Sequence, residues 1–284
     1  MLKKSSANQL FTVGYRGRIQ LENNYMNMPI ALIDSGVGGL TVLQKVMQIL
    51  PNESYIYLAD NAFFPYGTKP FDVLDVRLQK VTNYLISLGV KAIVVACNTA
   101  SLHIESMQKQ AKFPVIDVIV PTCKDVLSLT KNKKVCLLAT DATVHSGVYQ
   151  QILNSNGVEV VPFACSNFVP IAESSVSNTF QTKCVVREHL AQIAGDDFDT
   201  VIFGCTHFGL MKESINQVLG NRNYVECGDA TALHLKQILQ KHNLLGNAKS
   251  GELNLVTTGK ATSLEKVARS LRLQFTDIKV VQLD

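Results

Sequence analysis

The chain has 284 residues, a net charge of +4, 46% hydrophobic residues and 18% charged residues. This length suits one large domain or two compact ones, and the composition is that of a globular protein with a sizeable core. No apolar run reaches the roughly 18–20 residues that span a bilayer, and the small, scattered basic excess does not favour a nucleic-acid partner.

The first 28 residues are predicted to be an N-terminal extension. They carry four basic residues but neither a sustained apolar segment nor a small-residue cleavage signal, so a secretory signal is not supported. We expect residues 1–28 to be flexible, with a misassigned start or a regulatory arm as alternatives.

From residue 29 onward, short apolar runs alternate with longer amphipathic ones. Continuous apolar strands separated by helices are typical of parallel sheets covered on both faces, with right-handed crossovers. The sequence therefore predicts an α/β fold with mainly parallel sheets. The predicted strands are Ile30–Ile33, Tyr55–Leu58, Ala92–Ala96, Val115–Ile116, Val135–Ala139, Val158–Pro162, Thr200–Phe203, Tyr224–Glu226 and Leu253–Thr257. The predicted helices include Leu40–Leu50, Phe71–Leu88 and Ala142–Asn154.

The seven cysteines stand singly along the chain, without a CxxC pair, and their number is odd. This pattern argues against a disulfide framework and favours a reducing cytoplasm. We expect most of them, namely Cys123, Cys136, Cys165, Cys184 and Cys227, to be structural.

Two segments share one pattern: an apolar strand, a small residue, a cysteine, and small polar residues leading toward a helix. The segments are Ala92–Ser101 around Cys97 and Thr200–Gly209 around Cys205, and 108 positions separate the two cysteines. That separation is about one small domain. We therefore predict two similar α/β domains that face each other across a cleft, because open α/β sheets bind ligands at the carboxyl ends of their strands. Domain A would comprise residues 29–122 plus 231–284, and domain B residues 123–230.

A cysteine at a strand-to-helix turn suits acid–base chemistry. A free thiol has a pKa of about 8.5, and the unpaired N–H groups and partial positive charge of a helix N-terminus stabilise a thiolate or a bound carboxylate. The alternative is that both cysteines are core residues at strand ends. The repeated pattern and its polar flanks favour a functional role.

Several further motifs accompany the two cysteine segments. In chain order, the motifs are Asp34-Ser35-Gly36-Val37-Gly38-Gly39, Pro65-Tyr66-Gly67-Thr68, Ala96-Cys97-Asn98-Thr99-Ala100-Ser101 and Gly204-Cys205-Thr206-His207-Phe208, supported by Ala139-Thr140, Thr143, Ser146, Phe168-Val169-Pro170 and Glu173. With these motifs in the same order and both cysteines among them, residues 29–284 resemble the glutamate racemases.

The resemblance implies an isomerase that interconverts L- and D-glutamate without pyridoxal phosphate or a metal, so no cofactor is expected. It implies that Cys97 and Cys205 act as acid and base on opposite faces of the substrate α-carbon, Cys97 on the D-isomer and Cys205 on the L-isomer. It further implies a cytoplasmic enzyme that supplies D-glutamate for peptidoglycan, and hence for cell-wall biogenesis and cell shape. Family members are often dimers, which leaves a homodimer open here.

The resemblance also implies roles for the residues around the cysteines. Asp34 and Ser35 contact the substrate amino group, and Asp34 assists Cys97. The position of His207, two residues after Cys205, predicts that it tunes or protonates this cysteine, and a structural histidine is the alternative. Glu173 is expected to be a second acid for the cysteine–histidine pair, and an exposed helix glutamate is its alternative. The remaining predicted substrate contacts are Pro65, Tyr66 and Gly67, with Asn98, Thr99, Thr206 and His207 holding the substrate carboxylates.

Other interpretations stay open at this point. The glycine loop after Asp34 is neither GxGxxG nor a Walker loop, so phosphate binding is the weaker reading. A zinc site from Cys97, Cys205 and His207 lacks the local pair spacing that structural zinc usually shows. Functional alternatives are an aspartate or broad acidic amino-acid racemase, and an interaction protein that keeps the cleft, including a role on DNA gyrase.

Two positions depart from the family pattern. Phe63 stands before Pro65-Tyr66-Gly67, in a stretch where a basic residue is expected, and Gly209 follows Phe208 where proline is usual. We expect both changes to affect loop geometry, substrate breadth or subunit contacts.

Overall fold

The computed structural model describes residues 25–174, 179–247 and 251–283, which contain ten strands and twelve α-helices. The strands are β1 (Ile30–Asp34), β2 (Tyr55–Ala59), β3 (Ala92–Val95), β4 (Val115–Asp117), β5 (Lys134–Ala139), β6 (Glu159–Ala164), β7 (Thr200–Gly204), β8 (Asn223–Val225), β9 (Leu253–Thr257) and β10 (Asp277–Val280). The helices are α1 (Leu40–Ile49), α2 (Phe71–Ser87), α3 (Asn98–Ser101), α4 (Ile104–Gln110), α5 (Ile119–Leu129), α6 (Asp141–Ser146), α7 (Val148–Asn154), α8 (Phe168–Glu173), α9 (Phe180–Leu190), α10 (Lys212–Leu219), α11 (Cys227–Lys241) and α12 (Ala261–Ser270).

The strands form two sheets in which every described pair is parallel. The first sheet has the order β10-β9-β2-β1-β3-β4, and the second has the order β6-β5-β7-β8. The chain therefore leaves the first sheet after β4, builds the second sheet, and returns to add β9 and β10. The predicted α/β fold with two parallel sheets is confirmed. The predicted boundaries after residues 122 and 230 fall inside α5 and α11, so the exact division into domains stays a proposal.

Burial on both faces explains why the strands read as continuous apolar runs. Every residue of β1, β2, β3 and β7 is buried. Successive strand residues point to opposite faces, so Leu32 joins one core cluster of the first sheet and Ile33 joins another. Helices cover both faces, as a parallel sheet requires.

Two elements differ from the sequence prediction. The helix predicted over Ala142–Asn154 is divided into α6 and α7 at Gly147, which has a φ of +68°. Glycine adopts this left-handed conformation without steric cost, so it ends one helix and starts the next. Strand β10 was not predicted, because Asp277–Val280 is a short and largely exposed edge strand with little apolar signal.

The predicted N-terminal extension is described only at its end. Residues 1–24 lie outside the described residues, whereas Tyr25–Asn27 form a 3-10 helix. Tyr25 packs against the core of the first sheet. No helix among the described residues is long and apolar enough to cross a membrane.

A buried ion pair between Lys91 and Glu53 holds the amino-terminal edge of the first sheet. The Lys91 side chain is fully buried and that of Glu53 is 3% exposed. Lys91 Nζ also donates to the carbonyl oxygens of Met26 and Leu244, and Glu53 Oε1 accepts a hydrogen bond of 2.7 Å from the Gly246 amide. The pair thus joins four separate segments of the chain.

Replacing Lys91 with methionine should lower the free energy of unfolding by about 3–5 kcal/mol, because the Glu53 carboxylate would stay buried without its counter-charge. Urea denaturation followed by circular dichroism measures this change. The double variant Lys91→Met/Glu53→Leu removes both charges and should recover much of the loss. A double variant as unstable as the single one would contradict the electrostatic explanation.

Candidate active site

The carboxyl ends of the two sheets enclose a cavity of about 170 Å³. Its lining consists mostly of neutral hydroxyl, amide, thiol and apolar groups, together with the His207 imidazole. The residues from the first sheet are Ser35, Phe64, Pro65, Tyr66, Gly67, Thr68, Cys97, Asn98 and Thr99, and those from the second are Thr140, Ser166, Val169, Pro170, Gly204, Cys205, Thr206 and His207. Cys97 and Cys205 thus reach the same cavity from different sheets.

All the predicted site residues line this cavity except two. Asp34 and Glu173 are not among the lining residues and lie behind it. Asp34 contacts Thr206, and Glu173 contacts His207, so each supports a residue that does line the cavity.

Cys97 lies between the end of β3 and the first residue of α3. Its side chain is buried, and the backbone N–H groups of Ala100 and Thr99 point toward its sulfur. Burial, followed by the nearby Asp34 carboxyl group, raises the pKa of the Cys97 thiol far above its ordinary value. This environment therefore favours the thiol form of Cys97 at neutral pH.

Asp34 ends β1 and is completely buried. One carboxylate oxygen accepts a hydrogen bond of 2.9 Å from the Gly36 amide, and the other accepts one of 3.0 Å from the Thr206 hydroxyl. Burial raises the pKa of Asp34 to about 6, although nearby His207 and the two hydrogen bonds oppose this effect. The carboxyl group can therefore change protonation state close to neutral pH.

Cys205, His207 and Glu173 form a chain of contacts on the opposite side of the cavity. The distance from Cys205 Sγ to His207 Nδ1 is 3.8 Å, and that from His207 Nε2 to Glu173 Oε2 is 2.7 Å. Burial alone would lower the pKa of His207, but its contacts with Cys205 and Glu173 raise it well above the ordinary range. An imidazolium at this position would stabilise a thiolate on Cys205.

The glycine loop allows the first sheet to approach this chain of contacts closely. A Cβ atom on Gly38 would lie 2.5 Å from Thr206 Oγ1, and one on Gly36 would overlap the Glu173 carboxylate. The Val37 amide also donates a hydrogen bond of 3.0 Å to Glu173. The glycines are therefore required by close packing between the two sheets.

Several side chains expected to bind the substrate already have partners. The Asn98 side-chain amide accepts from Tyr149 at 2.6 Å and donates to Cys227 at 3.5 Å, so these two contacts hold the amide in place. The Tyr66 hydroxyl donates to Asp60 at 2.8 Å, so Tyr66 presents its ring to the cavity.

Sequence reasoning missed Asp60, which is fully buried just after β2. Its carboxylate accepts hydrogen bonds from Tyr66, Arg77 and Thr258 and so fixes the Pro65-Tyr66-Gly67 loop. It also missed Ser166, which follows β6 and lines the cavity. The position of Asp60 just after the predicted strand Tyr55–Leu58 was the available signal for that residue, whereas Ser166 lies four positions beyond the predicted strand Val158–Pro162.

Phe63 and Gly209, the two residues that depart from the family pattern, each lie close to charged side chains. The Phe63 ring lies 4.9 Å from Lys69 Nζ and 5.4 Å from the Arg77 guanidinium carbon, distances typical of cation–π contacts. A Cβ atom on Gly209 would lie 2.9 Å from Glu226 Oε2, which leaves no room for proline unless Glu226 moves.

Among residues 25–174, 179–247 and 251–283, no group of three His, Cys, Asp or Glu side chains is placed to hold a metal ion. All seven cysteines are free.

Comparison with known proteins gives consistent matches over most of the chain. The model of the Asp/Glu/hydantoin racemase family matches residues 30–238. The glutamate racemase of Bacillus cereus is 39% identical over 249 residues, which cover 86% of this chain and 92% of that protein. The glutamate racemase isoform RacE1 of Bacillus anthracis superposes with a TM-score of 0.86 at 31% identity, covering 91% of this chain and 98% of that one. The Francisella tularensis glutamate racemase, solved in complex with D-glutamate, gives a TM-score of 0.83 at 32% identity, covering 91% and 99%.

The buried Asp34 carboxyl group makes stability depend on pH. Its pKa is about 6 in the folded protein against an ordinary value of 3.8, so the folded state binds this proton more tightly than the unfolded state. This proton therefore adds about 3 kcal/mol to the free energy of unfolding below pH 3.8. The contribution is lost as the pH rises through about 6.

Asp34→Asn should therefore raise the free energy of unfolding at pH 7 by about 1–3 kcal/mol and give no gain at pH 3.5. The asparagine can accept from the Gly36 amide and donate to the Thr206 hydroxyl. Urea denaturation at the two pH values measures the effect, with Asp72→Asn as the exposed control, expected within about 0.5 kcal/mol of wild type at both. A gain that is equal at both pH values would rule out the titration of Asp34 as its source.

Proposed function

The chain belongs to the Asp/Glu/hydantoin racemase family, and from this we propose that it is a glutamate racemase that interconverts L- and D-glutamate through two cysteines and without a bound cofactor. The observation that carries the proposal is the position of Cys97 and Cys205, which reach one cavity from two different sheets. The enzyme is accordingly an isomerase of the amino-acid racemase class.

The proposed reaction moves one proton off the α-carbon and another onto its opposite face. One cysteine, as a thiolate, takes the α-proton and becomes a thiol, while the opposite thiol gives its proton to the carbanion and becomes a thiolate. Both sulfurs must lie about 3–3.5 Å from the reacting carbon, so we expect them to be roughly 6–8 Å apart around a bound substrate. Each turnover inverts the protonation states of the pair, and the reverse reaction or proton exchange restores them.

The two sides of the cavity differ in the groups that would accept the proton and stabilise the thiolate. Cys205 has the His207 imidazole beside it, and Glu173 contacts the other nitrogen of that ring. The imidazole would accept the Cys205 proton and, as an imidazolium, stabilise the thiolate. Cys97 has Asp34 nearby and the amides at the start of α3. In the proposed assignment, Cys205 takes the proton from L-glutamate and Cys97 takes it from D-glutamate.

Glutamate is the proposed substrate because the similar proteins are glutamate racemases and one was solved with D-glutamate. Backbone amides and the Ser35 hydroxyl are donors that the cavity offers to the substrate carboxylates. The Thr99 hydroxyl is hydrogen-bonded to that of Thr140 at 3.1 Å, and the Thr140 hydroxyl donates to Thr143. A role in supplying D-glutamate for peptidoglycan belongs to the same proposal. A cytoplasmic location also belongs to it, and the seven free cysteines support this. Assays with L- and D-aspartate beside L- and D-glutamate, without added cofactor, separate this proposal from a broader specificity.

Alanine in place of either Cys97 or Cys205 should lower kcat for racemisation by at least about 10³-fold, because one face of the α-carbon then lacks its acid or base. Circular dichroism at the glutamate absorption band follows the change in optical activity directly. Cys184→Ala, at an exposed cysteine outside the cavity, is the matched control and should keep wild-type activity. A Cys205→Ala enzyme with near-normal racemisation would overturn the assignment.

In D₂O, the first product molecules should carry deuterium at the α-carbon, while recovered substrate carries little. The reason is that the incoming proton comes from the second thiol, which has exchanged with solvent. Proton NMR of both enantiomers after chiral separation measures the label. Heavy early labelling of the recovered substrate would point instead to a single base that serves both faces.

Activity should survive dialysis, metal chelators and carbonyl-trapping reagents, but not alkylation of thiols. This outcome follows from a reaction carried by the two cysteines alone. Initial rates before and after each treatment provide the measurement, and pre-incubation with glutamate should protect against alkylation. Loss of turnover with a chelator that zinc restores would contradict the proposed mechanism.

A further inference from the structure

Phe64 connects the first sheet to the chain of contacts that runs from Cys205 to Glu173. It belongs to the loop between β2 and α2, but its ring packs against the core cluster of the second sheet. The centroid of this ring lies 5.9 Å from that of the His207 imidazole, and the angle between the ring planes is 49°. Phe64 also lines the cavity.

His207 needs a fixed orientation because both of its ring nitrogens have partners. Nδ1 faces Cys205 Sγ at 3.8 Å, and Nε2 faces Glu173 Oε2 at 2.7 Å. A rotation of the imidazole about its bond to Cβ would break both contacts together. The packing of an aromatic ring against the imidazole opposes this rotation and keeps water away from the nitrogens.

The loop that carries Phe64 is itself held firmly. Asp60 lies before Phe64 and Tyr66 lies after it, and these two residues are joined by a hydrogen bond of 2.8 Å. Arg77 and Thr258 donate to the same carboxylate, which fixes Asp60 to α2 and to the end of β9. The position of the Phe64 ring is therefore set by the first sheet, while the imidazole that it packs against belongs to the second.

We propose that Phe64 is a positioning residue for the proton relay formed by Cys205, His207 and Glu173, and this inference rests on the proposed racemase function. Its ring holds the imidazole in the plane that both nitrogens require and shields it from water. Because the ring comes from the first sheet, the relay is complete only when the two sheets are packed together as observed. Phe64 does not transfer a proton itself.

The neighbouring residue Phe63 supplies a matched control. Its ring packs against Lys69, Arg77 and the edge of Tyr66, with a centroid distance of 6.4 Å to the Tyr66 ring. Phe63→Leu removes the same number of atoms from the same loop as Phe64→Leu does. It removes them on the side of the loop that contacts the Lys69 and Arg77 cations.

Four proteins test the proposal: the wild type, Phe64→Leu, Phe64→Tyr and Phe63→Leu. Phe64→Leu should lower kcat/KM by about 10- to 100-fold, mainly through kcat, because the relay loses its orientation. The two enantiomers have equal free energy in solution, so kcat/KM must fall by the same factor in both directions. Phe64→Tyr keeps the ring and should stay within about threefold of the wild type.

A second readout needs no substrate. Iodoacetamide at fixed pH, followed by mass spectrometry of the peptides, gives the alkylation rates of Cys205 and Cys97 in the same sample. Phe64→Leu should lower the rate at Cys205 several-fold relative to Cys97, because iodoacetamide attacks the thiolate, which a displaced imidazole would no longer stabilise, whereas a wider cavity admits the reagent to both cysteines. Phe64→Tyr and Phe63→Leu should leave this ratio unchanged.

The proposal is overturned if Phe64→Leu keeps kcat/KM within about twofold of the wild type, or if Phe63→Leu changes the alkylation ratio as much as Phe64→Leu does. Thermal melting monitored by circular dichroism verifies that each variant is folded. A wild-type enzyme that does not racemise glutamate would refute the proposed function, and the alkylation ratio would still decide the role of Phe64.

Discussion

The hydrogen bond from the Thr206 hydroxyl to the Asp34 carboxylate is the contact on which the rest of the site depends. It joins the residue that ends β1 to the segment that follows β7, and thus fixes the two sheets relative to each other. A second hydrogen bond joins the two sheets with donor and acceptor exchanged: the Val37 amide of the first sheet donates to Glu173 of the second. Each sheet supplies a carboxylate that accepts a hydrogen bond from the other sheet, and the cavity lies between these two contacts.

This arrangement uses groups that are costly to bury. A buried charge must be paired or hydrogen-bonded, and its desolvation can exceed the attraction that it gains. Asp34 and His207 are both enclosed in the protein, and the pKa of each is displaced from its ordinary value. The Lys91–Glu53 pair at the other end of the first sheet is buried as well, but it joins chain segments and lies away from the cavity. Of these described groups, His207 lines the cavity and Asp34 lies directly behind it, both at the carboxyl ends of the strands.

Much of this arrangement could be predicted from the sequence, because strands buried on both faces leave continuous apolar runs and the residues after them mark the carboxyl edge of a sheet. This reasoning located Cys97 and Cys205 and the fold that brings them together. It could not identify Asp60 as the anchor of Tyr66, because that contact also depends on Arg77 and on Thr258, which lies far away in the sequence. It could not show that the Asn98 side chain is occupied by Tyr149 and Cys227. Periodicity fixes which face a residue occupies, whereas hydrogen-bond partners depend on distances between elements that only the folded chain defines.

The largely neutral lining of the cavity has a consequence for how substrate is captured. Hydroxyl and backbone N–H groups act over a single hydrogen-bond length, whereas fields from exposed charges extend over about 8 Å at physiological ionic strength. An amino acid with an acidic side chain would therefore be held, after it has entered, through short contacts with the Ser35 hydroxyl and the backbone amides of the lining. The strength of binding then depends on the spacing of the two sheets, which sets the lengths of these contacts.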